Sequence, residues 1–193
     1  MGRLAQTLGR TTYMPLHSTA FEEYLPVVDD AGQVVEKRSA HFQRVSRLLP
    51  NFPEDVLGQW IYEHWSDVGR FDWLNFPTLK FGMESWATEQ VKSCGAATHP
   101  FIELHRRHFE TSEGGRRTNR IARYMNQHGT WPVPPLFVEN QDGNIKYPDG
   151  GLFCEPFHPI EGQHRVGVFM SLAESGKLRS HHAVWRVSVQ SAA

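Results

Sequence analysis

Two hydrophobic periods alternate along this chain, one of three to four residues and one of two, and the switches between them mark out its elements. Residues 39–49 place Phe42, Val45, Leu48 and Leu49 on one side of a predicted helix. "NFPEDVLGQWIYEHWSDVG" predicts a longer one. Pro53 falls in its first turn, where a missing N–H does no harm, Glu54 and Asp55 suit its positive end, and Gly69 stops it. Val56, Trp60 and His64 form one stripe on it; Leu57, Ile61 and Trp65 form the next. "TLKFGMESW" then changes to period two, with Leu79, Phe81 and Met83 alternating against Lys80, Gly82 and Glu84.

The same reading carries through to the end of the chain. "HPFIELHRRHFE" is a short helix or loop, and "GGRRTNRIARYMNQHG" a helix ending at Gly129. "WPVPPLFVENQDGN" leads through prolines into a strand, closed by a turn at Asp142 and Gly143, and "GLFCEPFHPIEG" is another extended stretch. "HRVGVFMSLAESG" is apolar on most sides and predicts a buried helix. "HHAVWRVSVQ" is a last strand with Ala183, Trp185, Val187 and Val189 on one face. Earlier, "YLPVVDDAGQVVEK" gives two short extended pieces around a turn at Asp30, Ala31 and Gly32, and residues 1–20 form a polar, mixed arm. From residue 78 the order is β, α, β, β, α, β. The expected fold is α+β, with a mixed sheet in a core of residues 76–193 and a mainly helical extension over residues 1–75.

Composition narrows the classes. The chain has 193 residues, 39% hydrophobic and 21% charged, enough for a packed core. Its net charge is -1, so any nucleic-acid contact must come from a local basic patch. Cys94 and Cys154 stand far apart without a CxxC, which argues against a zinc ribbon or a redox pair. Two reduced thiols are expected, with a disulfide as the alternative. There is no run of 18 apolar residues and no signal-peptide core, so the expectation is a cytoplasmic protein without membrane insertion.

One junction raises a chemical question. In "HPIEGQHRVGVFM" a strand ends at Ile160 and Glu161, Gly162 permits a tight turn, and a buried helix begins at once. The first amides of such a helix lack internal partners and lie at its positive end, which makes a phosphate or carboxylate site. His164 and Arg165 add donors, and a guanidinium suits phosphate oxygens in two-pronged fashion. Glu161 would orient a water, accept a proton or hold a divalent cation. The alternative is a capped helix in which Arg165 simply pairs with Glu161.

A second feature is basic. Arg116, Arg120 and Arg123 fall at i, i+4 and i+7 on one helix face, and six Arg stand against three Glu between Phe101 and Met125. With Arg117 they could meet a nucleic-acid backbone, or they could be a solvated face. Trp60 and Trp65 could stack bases, although aromatics at helical spacing more often form core. His181 and His182 are adjacent, so in a strand they point to opposite faces and would not chelate together. The identity of any metal ligand stays unknown. No GxSxG elbow is present, and nothing near Cys154 marks it as an activated nucleophile.

"IARYMNQHGTWPVPPLFVEN", "PIEGQHRVGVFMSLAESG" and "HAVWRVSV", in this order, resemble the ParB/sulfiredoxin superfamily over residues 78–193. The resemblance implies that Gly162, Gln163, His164 and Arg165 bind nucleotide phosphates, with ATP or another nucleoside triphosphate and Mg²⁺ as cofactors. Gln163 stands where the sulfiredoxin branch has its catalytic Cys, so sulfinic-acid reduction is not expected. Too few residues come after the last strand for the DNA reader of the partition-protein branch. Small stand-alone members include the Osa-like plasmid fertility inhibitors, associated with ATP hydrolysis, DNA cleavage and a block on conjugative DNA transfer. On this reading Glu161 or Glu155 is catalytic, Arg116, Arg117, Arg120 and Arg123 track DNA, and the extension meets a protein partner. A non-catalytic nucleotide- and DNA-binding regulator, or a small-molecule (amino-acid) kinase, are the alternatives.

Overall fold

The structure, a computed structural model, describes residues 19–94, 99–111, 120–151 and 153–189. Its centre is a mixed four-stranded sheet of β1 (Lys80–Ala87), β2 (Leu136–Glu139), β3 (Phe157–Glu161) and β4 (His181–Ser188), in the order β1-β4-β2-β3. β4 runs antiparallel to β1 and parallel to β2, and β2 runs antiparallel to β3. β2 is buried on both faces, and β4 is buried at His182, Val184, Trp185 and Val187. Leu136 and Val138 of β2, with Trp185 and Val187 of β4, enter one core; Phe137 and Val184 enter the other. Pro159 lies in β3, an edge strand, where its missing N–H breaks no ladder on the open side.

Helices cover both faces, which makes this an α+β fold. Ahead of β1 come α1 (Thr19–Glu22), α2 (Arg38–Leu48), α3 (Glu54–Val56), a π-helical turn (Leu57–Tyr62) and α4 (Trp65–Val68). Their apolar sides, including Val45, Leu49, Trp60 and Ile61, pack against Leu136, Ile160 and Val187. The described part of the expected extension thus shares one core with the sheet. After β1 come α5 (Thr88–Ser93), α6 (Pro100–Thr111), α7 (Arg120–His128) and α8 (Gln163–Glu174). They bury Ile102, Met125, Val168 and Phe169 with Trp86 and Phe137 on the other face. Burying a side chain of this size stabilises the fold by about 1.5–3 kcal/mol.

Two close approaches set the frame of the site. Gly167 of α8 lies so near α6 that a Cβ there would sit 2.6 Å from the His105 Cβ and 2.8 Å from the Ile102 carbonyl oxygen. Gly162 joins β3 to α8 at φ +89°, and a Cβ there would sit 2.6 Å from the Pro135 Cβ. Only glycine fits that turn without strain.

Most expected elements form where the pattern puts them, and the exceptions have physical reasons. The long helix expected over residues 53–68 is broken. The π-helical turn buries five successive residues, Leu57, Gly58, Gln59, Trp60 and Ile61, and shifts the register of the next turn. His64 is left exposed rather than continuing the Val56 and Trp60 stripe. Trp60 is core, stacked on Phe52 at a ring separation of 6.2 Å. The alternation puts Met83 on the core face of its strand, but Met83 is 48% exposed, because β1 is an edge strand. Ala183 is likewise exposed, while Trp185 and Val187 of the same face are buried. "HPFIELHRRHFE" is helical, within α6. The turn at Asp30, Ala31 and Gly32 is closed by a bridge between Val28 and Val34. Among the described residues, no helix is long and apolar enough to cross a membrane.

Candidate functional site

A cavity of about 530 Å³ opens where β3 turns into α8. One wall is the junction itself, from Ile160 and Glu161 through Gly162, Gln163, His164 and Arg165. α6 supplies Phe101, Leu104 and His105, and α7 supplies Ile121. The segment before β1 closes the remaining side with Trp60, His64, Asp67, Arg70 and Phe71. Gly162 carries no side chain to cap α8, so the first amides of a largely buried helix stand at the cavity wall. Gln163 turns its amide back onto β3, where Nε2 donates to the Pro159 carbonyl at 3.1 Å.

Arg165 is the centre of this wall. Its residue is 6% exposed. Nη2 donates to Glu161 Oε2 and, at 3.1 Å, to Gln59 Oε1 from the π-helical turn. Nε is buried and has no hydrogen-bond partner, and neither has Gln59 Nε2. An unmatched buried donor costs about 1–3 kcal/mol unless something fills the position. Glu161 is 8% exposed, and its Oε1 lies 3.5 Å from His64 Nε2. Burial pushes its carboxyl above the ordinary carboxylate range, a rise that Arg165, His64 and the Gly162 amide oppose.

The pairing of Arg165 with Glu161, the plainer of the two readings of this junction, is present inside the protein. The pair nevertheless faces a cavity that reaches solvent past Leu104, which is 59% exposed. His105 and His164 add little charge. Burial, with the neighbouring His105, Arg165 and His108, brings His164 down to about 4, and burial lowers His105 as well. Their rings meet edge to face at 5.1 Å. At neutral pH these two are polar, uncharged surfaces, and Arg70 and Arg165 bring guanidinium groups to the cavity.

The other residues singled out in the sequence are placed elsewhere. Glu155 is exposed, in the bend that precedes β3, at the opposite end of that strand from Glu161. It does not line the cavity. Arg120 and Arg123 are exposed on α7, while Arg116 and Arg117 lie outside the described residues. The neighbouring basic pair is neutralised: Arg106 contacts Glu103 at 2.8 Å and Glu174 at 3.0 Å, and Arg107 contacts Glu103 at 2.6 Å. His181 is exposed and His182 buried, on opposite faces of β4. Cys94 and Cys154 are buried and not joined in a disulfide, and burial pushes the Cys154 thiol up, away from thiolate chemistry.

Among the described residues, no three His, Cys, Asp or Glu side chains gather to hold a metal. Glu161 is a poor Mg²⁺ ligand as it stands, since one oxygen faces a guanidinium and the other an imidazole. Gln59, His64, Arg70, Phe101 and His105 do not stand out from the sequence as site residues. Gln59 does carry a signal, as a lone uncharged polar residue inside the apolar run "VLGQWIY". The chain matches no family model, no curated protein and no solved structure.

Proposed function

We propose that this chain binds a nucleoside triphosphate such as ATP at the β3–α8 junction and hydrolyses it. The observation that carries the reading is the buried Arg165, with Nε unpartnered, at the uncapped start of a buried helix on a cavity wall. Phosphate oxygens would occupy the first amides of α8 and the free edge of the guanidinium, and charge stabilisation there is the main catalytic contribution. Glu161, released from Arg165 by the arriving phosphates, would take the proton of the attacking water as the bond to the terminal phosphorus forms and that to the leaving diphosphate breaks. A Mg²⁺ ion enters this reading only as a passenger on the nucleotide's phosphates.

The resemblance to the ParB/sulfiredoxin superfamily supports the assignment through residue pattern and element order. It also extends the proposal to DNA binding and cleavage and to a plasmid-encoded block on conjugative transfer, for which the exposed Arg120 and Arg123 are the supporting residues here. A non-catalytic nucleotide-binding regulator is favoured by one observation, the neutralisation of Glu161 by Arg165.

Calorimetric titration with ATP, followed by measurement of released phosphate, separates these readings. Arg165→Lys keeps the charge but loses the fork, and should weaken binding at least tenfold with an unchanged circular dichroism spectrum. Glu161→Gln should bind ATP but release no phosphate. Binding without release in the wild type selects the regulator, and absence of binding in the wild type ends the proposal.

A further inference from the structure

The sheet has two edges, and they are finished differently. β3 is short, holds Pro159 and is buried at every residue but Phe157. β1 runs for eight residues in unbroken register on β4, without proline or bulge, and Lys80, Gly82, Met83 and Ser85 are exposed. An edge this long and regular invites another strand unless something blunts it. The main chain shows which groups are open. Trp185 N–H donates to the Pro135 carbonyl at 2.9 Å, on the β2 side of β4. Met83 lies opposite Trp185, so Phe81, Met83 and Ser85 turn their N–H and C=O groups away from β4. Among the described residues, nothing hydrogen-bonds to them there. A Cβ on Gly82 would meet nothing within 4 Å.

The side chains of this edge complement a copy of themselves. Lys80, Gly82 and Glu84 share one face; Phe81 and Met83 share the other, where the Phe81 ring packs on Phe52 at 4.5 Å. Arg186 contacts Glu84 at 3.1 Å and Glu139 at 2.6 Å, so two carboxylates share one guanidinium. Lys80 is exposed and, among the described residues, has no ion-pair partner. We propose that β1 pairs antiparallel with β1 of a second copy of this chain, about a two-fold axis at Gly82. Lys80 then stands across from the partner's Glu84 and balances the surplus carboxylate, while Phe81 stands across from the partner's Met83 and covers its exposed side chain. Phe81 and Met83 form the hydrogen-bonded pairs. Lys80 and Glu84 form the closer, non-hydrogen-bonded ones, with Cα atoms roughly 4.5 Å apart. An axis at Met83 would instead face Lys80 with Trp86 and Glu84 with Gly82, and no opposite charges would meet. The contact is the same patch on both copies, so it closes at two. It requires nothing of the nucleotide reading.

Sedimentation equilibrium of the full chain from about 1 to about 100 μM tests the pairing. The wild type should move from 22.1 kDa towards twice that mass across the series. Lys80→Glu sets like charges across from each other in both symmetric pairs and should weaken the dimer about tenfold or more. Lys146→Glu makes the same charge change at an exposed site off the sheet and should leave the dimer unchanged. Met83→Pro removes an outward N–H that β4 does not use, and should give a monomer with an unchanged circular dichroism spectrum. A wild type of 22.1 kDa at every concentration overturns the pairing, and so does a dimer that Lys80→Glu weakens no more than Lys146→Glu does.

Discussion

Removing one member of the Arg165–Glu161 pair should not cost the same as removing the other, and the difference should depend on pH. Both side chains are 8% exposed. Glu161→Leu strands a guanidinium that cannot lose its proton, and breaking a buried pair in this way costs about 3–5 kcal/mol. That penalty should shrink as pH rises from 5, because the wild-type carboxyl has a raised pKa and itself loses stability in that direction, a slope that the leucine variant lacks. Arg165→Met strands a carboxyl that can escape by binding a proton. At pH 5 it should cost only about 1–2 kcal/mol, from lost packing and from Gln59 Oε1 left without its donor. Burial already raises the folded-state pKa of Glu161, and losing Arg165 removes the largest opposing influence. The folded carboxyl then keeps a proton that the unfolded chain has released. Stability therefore falls as pH rises from the ordinary carboxylate range towards the folded pKa, by up to about 1.4 kcal/mol per pH unit. The double variant Glu161→Leu/Arg165→Met fills the space with apolar atoms and should lie within about 2 kcal/mol of the wild type or above it. Urea unfolding of the four proteins at pH 5, 6, 7 and 8 measures all of this. A flat pH profile for Arg165→Met, or a Glu161→Leu cost below about 1 kcal/mol, refutes the burial argument.

Other outcomes turn on single features. Gly162 and Gly176 both have positive φ, but a Cβ at Gly176 meets nothing within 4 Å. Gly176→Ala should cost about 1–2 kcal/mol and Gly162→Ala about 2–5 kcal/mol, the excess being the clashes with Pro135 and the Arg165 guanidinium; equal losses in urea unfolding would show that both neighbours yield freely. His158 is fully buried, accepts the Cys154 N–H at Nδ1 and has a pKa lowered to about 3, first by burial and then by His99 and Arg70. The unfolded chain binds a proton there that the folded chain refuses, so stability should fall as pH drops below about 6.5, by up to about 1.4 kcal/mol per unit. His158→Gln should flatten that acid slope whatever it does at pH 7, and an unaltered slope assigns the effect to another group. Arg120→Ala and Arg123→Ala, both exposed, should leave stability within about 0.5 kcal/mol. Each should also lower the salt slope of DNA retention by about 1; an unchanged slope removes α7 from the DNA proposal.

The layout of the sheet is legible in the sequence because its signals are local. Period-two stretches at β1 and β4, the stop at Gly129 and the all-round apolarity of α8 need only near neighbours to be read, and each forms where expected. The burial of individual faces is not legible to the same degree, because it depends on strand order. Nothing in "TLKFGMESW" says that its strand lies at an edge, and so the pattern alone puts Met83 inside. The π-helical turn escapes for a related reason. A run of apolar residues fits either helix type, and the partner that the wider turn gives Gln59, Arg165, lies 106 residues later.

The site shows the same division between near and distant information. The candidate anion-binding turn can be read from thirteen residues, because a glycine, a helix start and an arginine stand together there. Its opposite walls cannot, since Arg70 and Phe101 meet it only through the shared core. The turn itself is held by Gly162 against Pro135 and by Gly167 against α6, with the Arg165 guanidinium packed at Gly162 and the Gly162 amide on the Glu161 carboxylate. The ion pair is thus part of that turn, yet it leaves Nε of Arg165 without a partner. A buried pair is costly to desolvate, and the proposed nucleotide site would give it a role: an arriving phosphate would displace the carboxylate from the guanidinium, whereas a leucine and a methionine in the same space would bind no anion.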